Sequence, residues 1–512
     1  MLYDMSFLNP GSCYPPECQG KRLQDYRFYE RLFDLCDFSD FNELGCRLYV
    51  NFDTIFRLPV LLGFQRLTTI KLADMVIGAS PSITVNKDDN MTDKISDLRD
   101  QTDFDNKMYQ ALIDYSRYGV TIFRLFNDDE YMDENKGNFA VWNPKEWFPV
   151  IRDDGTRRIV EHVLMWRKNI GTLENPIYRL VVQRHPIQGG KYYQEEYELG
   201  GEVLSVGNQL SFEEIDTKGA PCLVQYVANL PSTTNIYGTS DYKIINELVL
   251  KATERMRQIL YILDKHADPS MTGPATMLTT NENTGELEFK AAKFYAVSPG
   301  EEHPEYLTWD GQLDAAFKAL EILLNQIYVM SEMGAALMSS NNSSGQAISG
   351  TAMRYKMISP LEKARRVCNA FTLPIKKLIS GLIKIEYNKD VSYKEINVTW
   401  EDSLPKDPRE IAELSRLQAG APQVIPLKHV LMENYNMDTV NAEHYIAEIQ
   451  KDQETWKSIN TNTDKESGTA FSRPGEKDNP AAPVNVDKKG SEKVPHNLSR
   501  SSSTSDVRED KR

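Results

Sequence analysis

Residues 241–265 of this chain read DYKIINELVLKATERMRQILYILDK, with apolar side chains at Ile245, Leu248, Ala252, Met256, Ile259 and Leu263. That spacing lines one face of an α-helix. At about 1.5 Å per residue the rod is roughly 40 Å long, and an apolar stripe of that length can be buried only against another long element. The chain supplies one, a second helical pattern from Gln312 to Met338. Between the two, Pro269, Pro274, Pro299 and Pro304 interrupt helix, and "ATMLTT", the turn "NENTG" and "LEFKAAKFYAV" read as a small β element. A polar stretch follows the second rod, and a third helix is predicted from Thr351 to Tyr387, with Pro360 and Pro374 expected to kink it.

The region before these rods mixes helix and strand. "LQDYRFYERLFDLCDFSDFNEL" and "FRLPVLLGFQRLTTIKLADMVIG" are helix-like, the second started or bent at Pro59, and "ASPSITV" after Gly78 is a strand. A further helix closes at Gly119 before the strand "VTIFRLF". Strand runs on either side of Asp153, Asp154 and Gly155 predict a hairpin, and "IYRLVVQRH", "KYYQEEYEL" and "CLVQYVAN" continue an antiparallel meander through Asn229. Late in the chain, "VTWED" offers a strand that could rejoin this sheet, and "DPREIAELSRLQAG" to "AEHYIAEIQKDQE" is helical. From Lys457 onward Ser, Pro, Asn and charge dominate, a composition that cannot bury a core and predicts disorder.

Composition narrows the function classes. The chain has 512 residues, enough for more than one core, and its net charge of −15 argues against gripping nucleic acid by phosphate neutralisation. Cys13, Cys18, Cys36, Cys46, Cys222 and Cys368 show no CxxC spacing, so zinc is not expected and free thiols in a reducing cytoplasm are. The N-terminus lacks a signal-peptide pattern, and "LPVLLGF" and "IKKLISGLIKI" are far shorter than a bilayer span of about 20 residues. The seven histidines are scattered singly, "NDDEYMDENKGN" lacks the Gly and Glu of a calcium loop, and no G-x-S-x-G elbow occurs. Gly345, Gly350 and Thr351 come near the phosphate-cradling pattern but lack its lysine and its preceding strand. No catalytic residue, cofactor or metal site is expected.

In order along the chain, "FRLPVLLGFQRLTTIKLADMVIGASPSITV", "ALIDYSRYGVTIFRLF" with "VWNPKEWFPV", "YGTSDYKIINELVLKATERMRQIL", "SSGQAISGTAMRYKMISPLEKARR" and "VTWEDSLPKDPREIAELSRL" resemble the portal proteins of tailed bacteriophages, in the group typified by the portal of phage SPP-one. The resemblance covers roughly Asp53 to Glu454. It implies a multidomain α+β protein. After an N-terminal segment of unassigned role, 1–52, would come a mixed α/β wing at 53–240, a first stem helix at 241–267, a β-containing clip at 268–311 and a second stem helix at 312–338. A tunnel loop at 339–349, a kinked tunnel helix at 350–387, a return to the wing at 388–404, a helical crown at 405–456 and the disordered tail at 457–512 would complete it.

The family forms dodecameric rings at one capsid vertex, through which a separate motor drives double-stranded DNA. Resemblance therefore implies a virion protein assembled in the bacterial cytoplasm, without enzymatic activity or membrane contact. Its implied partners are further copies of itself, the terminase large subunit, major capsid and scaffolding proteins, a head-completion adaptor, and DNA bound without sequence preference. Ser339, Ser340, Asn341, Asn342, Ser343, Ser344, Gly345 and Gln346 would face the channel, and Asn281, Glu282, Asn283, Thr284 and Gly285 would meet the motor and adaptor. Lys251, Arg255, Arg257 and Lys265 form a basic stripe on the first stem helix, facing DNA or a neighbouring subunit. Two other readings stay open at this level: a nucleotide-binding enzyme using Gly345 to Thr351, and a scaffold that forms no ring.

Overall fold

The computed structural model describes residues 2–34, 62–267 with short breaks, four short strands within 271–306, and residues 313–334, 355–400 and 408–466 with short breaks. The chain divides into two compact units, Met1–Asp407 and Pro408–Arg512. It is an α+β protein. The segments read from sequence as wing, stem, clip and tunnel helix all fall in the first unit.

Its helices are α1 (Gly20–Asp34), α2 (Phe64–Ile77), α3 (Asp89–Thr102), α4 (Phe104–Tyr118), α5 (Asp241–Ala267), α6 (Leu313–Met330) and α7 (Ile358–Tyr387). Strands β1 (Ser82–Val85) and β14 (Ile396–Thr399) pair antiparallel, Ile83 opposite Val398, so the late strand does return to the amino-terminal region. Strands β2 (Val120–Asn127), β3 (Gly137–Trp142) and β9 (Val224–Ala228) form a three-stranded sheet in the order β3-β2-β9. A second sheet is a meander of β4 (Val150–Ile151), β5 (Ile159–Asn169), β6 (Tyr178–Pro186), β7 (Lys191–Gly200) and β8 (Ser205–Asp216). The small β element between the rods comprises β10 (Met271–Thr272), β11 (Leu278–Thr280), β12 (Leu287–Phe289) and β13 (Glu305–Tyr306), paired β10 with β13 and β11 with β12.

The hairpin at Asp153 to Gly155 forms as the turn residues demand, with Gly155 at φ +78° and the Arg152 amide donating to the Arg158 carbonyl at 2.9 Å. Two strand expectations are corrected. "CLVQYVAN" does not extend the meander: β9 crosses to pair with β2, placing Val224 and Val227 in buried cores. Its place in the meander is taken by β8, whose polar, glycine-containing run SVGNQLSFEEID carries almost no alternation and is solvent-exposed over most of its length.

The largest core gathers around α7. Ala364, Val367, Phe371, Ile375, Leu378, Ile379, Leu382 and Ile383 line one face of that helix and pack with Leu72, Val76, Met108, Leu112, Tyr115, Phe123, Leu125 and Phe139. Pro360 does not kink α7. It is the third residue of the helix, where the missing N–H has no helical partner to lose. Pro374 does lie inside, and there Trp400 Nε1 donates to Thr372 Oγ1 at 2.9 Å while Thr372 donates to the Cys368 carbonyl at 2.7 Å. The helix stops at Asn388, in the left-handed region at φ 49°, its amide donating to the Lys384 carbonyl.

The amino-terminal segment, which sequence alone left unassigned, is part of this unit. Leu2, Phe7, Leu8 and Leu23 join Phe148, Val163, Met165, Leu180 and Val182 in one core, and Leu2 bridges to Val150 as Cys13 does to Ser205. On the opposite side of β5, Tyr26, Tyr29 and Leu32 of α1 pack with Trp147, Leu164 and Tyr242. Pro59, the end of the first predicted helix and most of "NDDEYMDENKGN" lie outside the described residues.

The second unit contains α8 (Pro408–Ala419), α9 (Leu427–Asn434) and α10 (Thr439–Glu466). Asn434 Nδ2 donates to Ser415 Oγ and Gln418 Oε1, tying α9 to α8. Helix α10 runs past Trp456, where disorder was expected to begin, because extending a formed helix adds a hydrogen bond for every residue fixed. Residues 467–512 lie outside the described residues. Truncation after Glu466 should therefore leave the thermal midpoint nearly unchanged, whereas deletion of residues 1–19 uncovers Phe148 and Val163 and should lower it by many degrees. Calorimetry of both variants checks this.

Candidate site at the base of the helical pair

Helices α5 and α6 bury their stripes against each other. Ile245, Val249, Ala252, Ile259, Leu320 and Ile327 form the seam, with Leu248, Met256, Ala316 and Leu323 at its edges. What remains outward is informative. On α6, Ile322 and Val329 share an outward face, 54% and 66% exposed, with no partner among the described residues, and Phe317, 47% exposed, stands about 140° around the helix from Ile322. On α5 the outward face carries Ile244, Glu247, Lys251 and Arg255.

The basic stripe expected on α5 is reduced accordingly. Lys251 pairs with Glu254 at 3.0 Å, and Arg255 donates to Gln258 at 2.7 Å, both on the outer face. Arg257 belongs to the inner side, only 4% exposed, and burial lowers its pKa from the usual guanidinium value. Two residues advance a helix by about 200°, which is why Arg255 and Arg257 cannot share a face. Lys265 lies in the last turn of α5. The stretches Ser339–Gln346 and Asn281–Gly285 lie outside the described residues.

The base of the pair is a buried polar junction that sequence reading did not find. Ser240 caps α5, accepting from the Tyr242 amide at 3.1 Å while its hydroxyl donates to the Arg117 carbonyl at 2.6 Å. Asp241 follows inside the helix start, where a carboxylate is favoured by the helix dipole. Its Oδ1 accepts from Asn229 Nδ2 at 3.0 Å and lies 3.2 Å from Lys363 Nζ, and its Oδ2 accepts from the Ser116 hydroxyl at 2.7 Å. Ser116 has one proton and gives it to Asp241, so Thr69, 3.1 Å away, donates to Ser116, and Tyr242, 2.9 Å from Thr69, donates to Thr69. The chain of hydroxyls thus points at the carboxylate, and burial raises the pKa of Tyr242 so that it stays a donor.

Lys363 Nζ also donates to the carbonyl of Ser331, just past the end of α6, at 3.0 Å. Beside it Arg366 pairs with Glu332, and Ser359 donates to the Glu332 carbonyl at 3.4 Å. Gly334, at φ +65°, turns toward Pro360, 3.6 Å from where a Cβ would stand. The chain leaving α6 and the chain entering α7 are therefore clamped together, and residues 335–354 depart from and return to one place.

A second contact seats α5 on the sheet region. Gly119 ends α4 at φ +85°, and a Cβ there would stand 2.6 Å from the Thr239 carbonyl carbon. One on Gly238 would stand 2.3 Å from the Gly119 oxygen. Only two glycines let these backbones approach so closely. A legible signal for the junction did exist: Lys363 occupies the apolar face of α7 defined by Pro360, Ala364 and Val367. In the charged run LEKARR it passes for a surface residue.

Comparison with known proteins follows from this geometry. Residues 245–459, which span nearly all of α5, the small β element, α6, α7, β14 and the helices after it, match the family model described as "Phage portal protein, SPP1 Gp6-like". The matched segment is similar to that family. It makes up less than half of the chain, and residues 1–244 lie outside it. No curated protein matches. Among solved structures, "Virion of native gene transfer agent (GTA) particle" aligns over 80% of this chain and 93% of its own at 11% identity and TM-score 0.43. "Neck of native GTA particle computed with C12 symmetry" aligns over 72% and 89% at 10% identity and TM-score 0.39. "Neck of empty GTA particle computed with C6 symmetry" aligns over 73% and 89% at 13% identity and TM-score 0.41. These TM-scores are too low to carry an argument.

Of the junction, Ser331 and Lys363 lie inside the matched segment, and Asp241, Tyr242, Ser116 and Thr69 lie before it. No cluster of metal-ligating side chains occurs among the described residues, and none of the described helices is long and apolar enough to cross a membrane. Replacing Lys363 with Met leaves Asp241 buried without its cation and should cost about 3–5 kcal/mol. The double variant Asp241→Leu with Lys363→Met should recover much of that loss. Denaturant unfolding of wild type, both single variants and the double variant closes the cycle.

Proposed function

We propose that this chain assembles into a closed ring that forms the DNA channel of a phage portal at one capsid vertex. The observation that carries the reading is a coincidence: the matched segment contains a helical pair whose outer face keeps Ile322 and Val329 exposed. An apolar face on a rod is covered when copies repeat around an axis, and a heterologous contact that closes makes a ring. In this reading the protein resides in the virion after assembly in the host cytoplasm, and its role is structural rather than enzymatic.

Residues 335–354, anchored at one point by Lys363 and Glu332, would contribute a loop of Ser, Asn, Gly and Gln to the channel wall. Such a loop makes weak phosphate contacts. A channel passing any sequence is slowed by dense Lys clamps, and residues 335–354 contain no Lys and a single Arg, Arg354. The β element between α5 and α6 would meet the packaging motor first and a head-completion adaptor afterwards, while capsid and scaffolding proteins would surround the ring.

Mass measurement and electron microscopy of the purified full chain test the ring directly, and a monomer at micromolar concentration would overturn the proposal. Ile322→Asp combined with Val329→Asp should dissociate rings while leaving the subunit folded. By contrast, Ile245→Asp strikes the internal seam and should unfold the helical pair. For the loop, Asn341→Lys with Ser344→Lys should leave rings intact but shorten the packaged DNA, partly restored by salt, while Ser343→Ala is nearly silent. Packaged length per capsid is the measurement.

A further inference from the structure

Outside the portal segment's helical pair, the first unit holds a cavity of about 790 Å³ between the two sheets and the carboxy-terminal end of α7. Its lining includes Arg124 from β2, Gln183 and Gln194 from neighbouring strands of the meander, Tyr192, and Lys384 from α7. Arg124 is the anomaly. It projects from a central strand, paired opposite Ala140 and Val224, onto the side away from the main core. Its Nε is sealed from solvent and has no hydrogen-bond partner. Its guanidinium lies 5.6 Å from the Trp142 ring centre and 5.8 Å from that of Phe126, and no carboxylate pairs with it among the described residues.

One carboxylate, Asp216, also lines the cavity, and no ion pair joins it to Arg124. Burial pulls the pKa of Arg124 below the usual guanidinium value, with Tyr192 opposing. His185, 1% exposed and stacked on Tyr192 at 4.9 Å, has both ring nitrogens unpartnered, and burial together with the Arg124 charge keeps it neutral. Gln183 is 5% exposed; its amide nitrogen donates to Gln194 at 2.8 Å, and its oxygen is sealed without a partner. Lys384 reaches the cavity and is paired at 2.9 Å only with Asp390, whose side chain is 84% exposed. A partly buried guanidinium without a carboxylate in contact is unfavourable. A bound anion removes that cost.

We propose that this cavity binds a phosphate-class oxyanion, held by the Arg124 guanidinium with Lys384 as the second cation. The side chains present suit it: a guanidinium donates two parallel hydrogen bonds to such a group, and an ammonium adds a point charge. The cavity is several times larger than a phosphate ion, so the group is either a free ion surrounded by water or the phosphate of a larger ester. The site lies in residues that the portal family match does not cover, apart from α7, and does not depend on ring formation.

The test uses the full chain and two probes, inorganic phosphate and adenosine monophosphate, against chloride at matched ionic strength. Phosphate should raise the thermal midpoint of wild type in a saturable way, and isothermal titration should give one site per subunit. A response to phosphate alone marks a free-ion site, whereas a stronger response to the nucleotide marks an ester. Arg124→Gln should weaken binding at least about tenfold, and in phosphate-free buffer it should be no less stable than wild type, since it removes an unpaired charge. Lys384→Gln, which leaves the strand untouched, should weaken binding by a smaller factor, and Arg152→Gln on an exposed turn should change nothing. A wild-type midpoint that does not respond to either probe, or a response retained in full by both Arg124→Gln and Lys384→Gln, overturns the proposal.

Discussion

The buried ion pair between Asp241 and Lys363 is the interaction on which the first unit turns. At 3.2 Å, with both side chains almost wholly buried, it ties the first residue of one long rod to the helix that forms the spine of the main core. Asp241 meanwhile collects the hydroxyl chain from α2 and α4, and Lys363 holds the end of α6 through Ser331. Five elements far apart in sequence are fixed by two charges. Such a pair adds little net stability over an apolar contact of the same shape, but it tolerates only one geometry, because any displacement leaves a buried charge without its partner.

The arrangement explains why helix α7 plays two roles. Its first turns meet the end of α6 and close the base of residues 335–354, and its later turns carry Phe371, Ile375, Leu378 and Leu382 into the same core as the sheets. A displacement at the start of α7 is therefore delivered to a helix whose one face is buried along its length rather than to a surface connection. Interiors packed as densely as crystals transmit such displacements instead of absorbing them. The glycine contact of Gly119 with Gly238 does the same for the start of α5, since no side chain separates the two backbones.

The polar interior divides by how its charges are satisfied. At the junction every charge has its opposite, and the hydroxyls fall into one consistent donor direction. Around Arg124 the opposite holds: the guanidinium lines a cavity without an ion-pair partner among the described residues, and the imidazole of His185 and the amide oxygen of Gln183 are buried without partners nearby. Arg184, on β6 of the adjacent meander, shows a guanidinium neutralised within the fold: it is paired with Glu161 at 2.9 Å and Glu195 at 3.2 Å. The contrast between the two neighbouring sheets is what singles out the Arg124 cavity as a place for an anion.

Periodicity and turn chemistry made much of the fold legible. The apolar repeat from Ile245 to Leu263 announced α5, Gly119 announced the end of α4, and Asp153 to Gly155 announced a hairpin, because each is a local preference that the backbone obeys wherever it lies. The portal family was legible too, from the order of its segments. Strand partners were not. Val224 to Ala228 alternates as a strand should, yet nothing local says whether it joins β8 or β2, since pairing depends on which apolar face needs cover. Strand β8 was illegible because its stability comes from hydrogen bonds to β7 rather than from burial of its own side chains. The burial of Arg257, Lys363 and Arg124 was likewise decided only by tertiary structure: sequence records that a residue is charged, but whether its charge meets water, a carboxylate or a cavity depends on what the rest of the chain places in front of it.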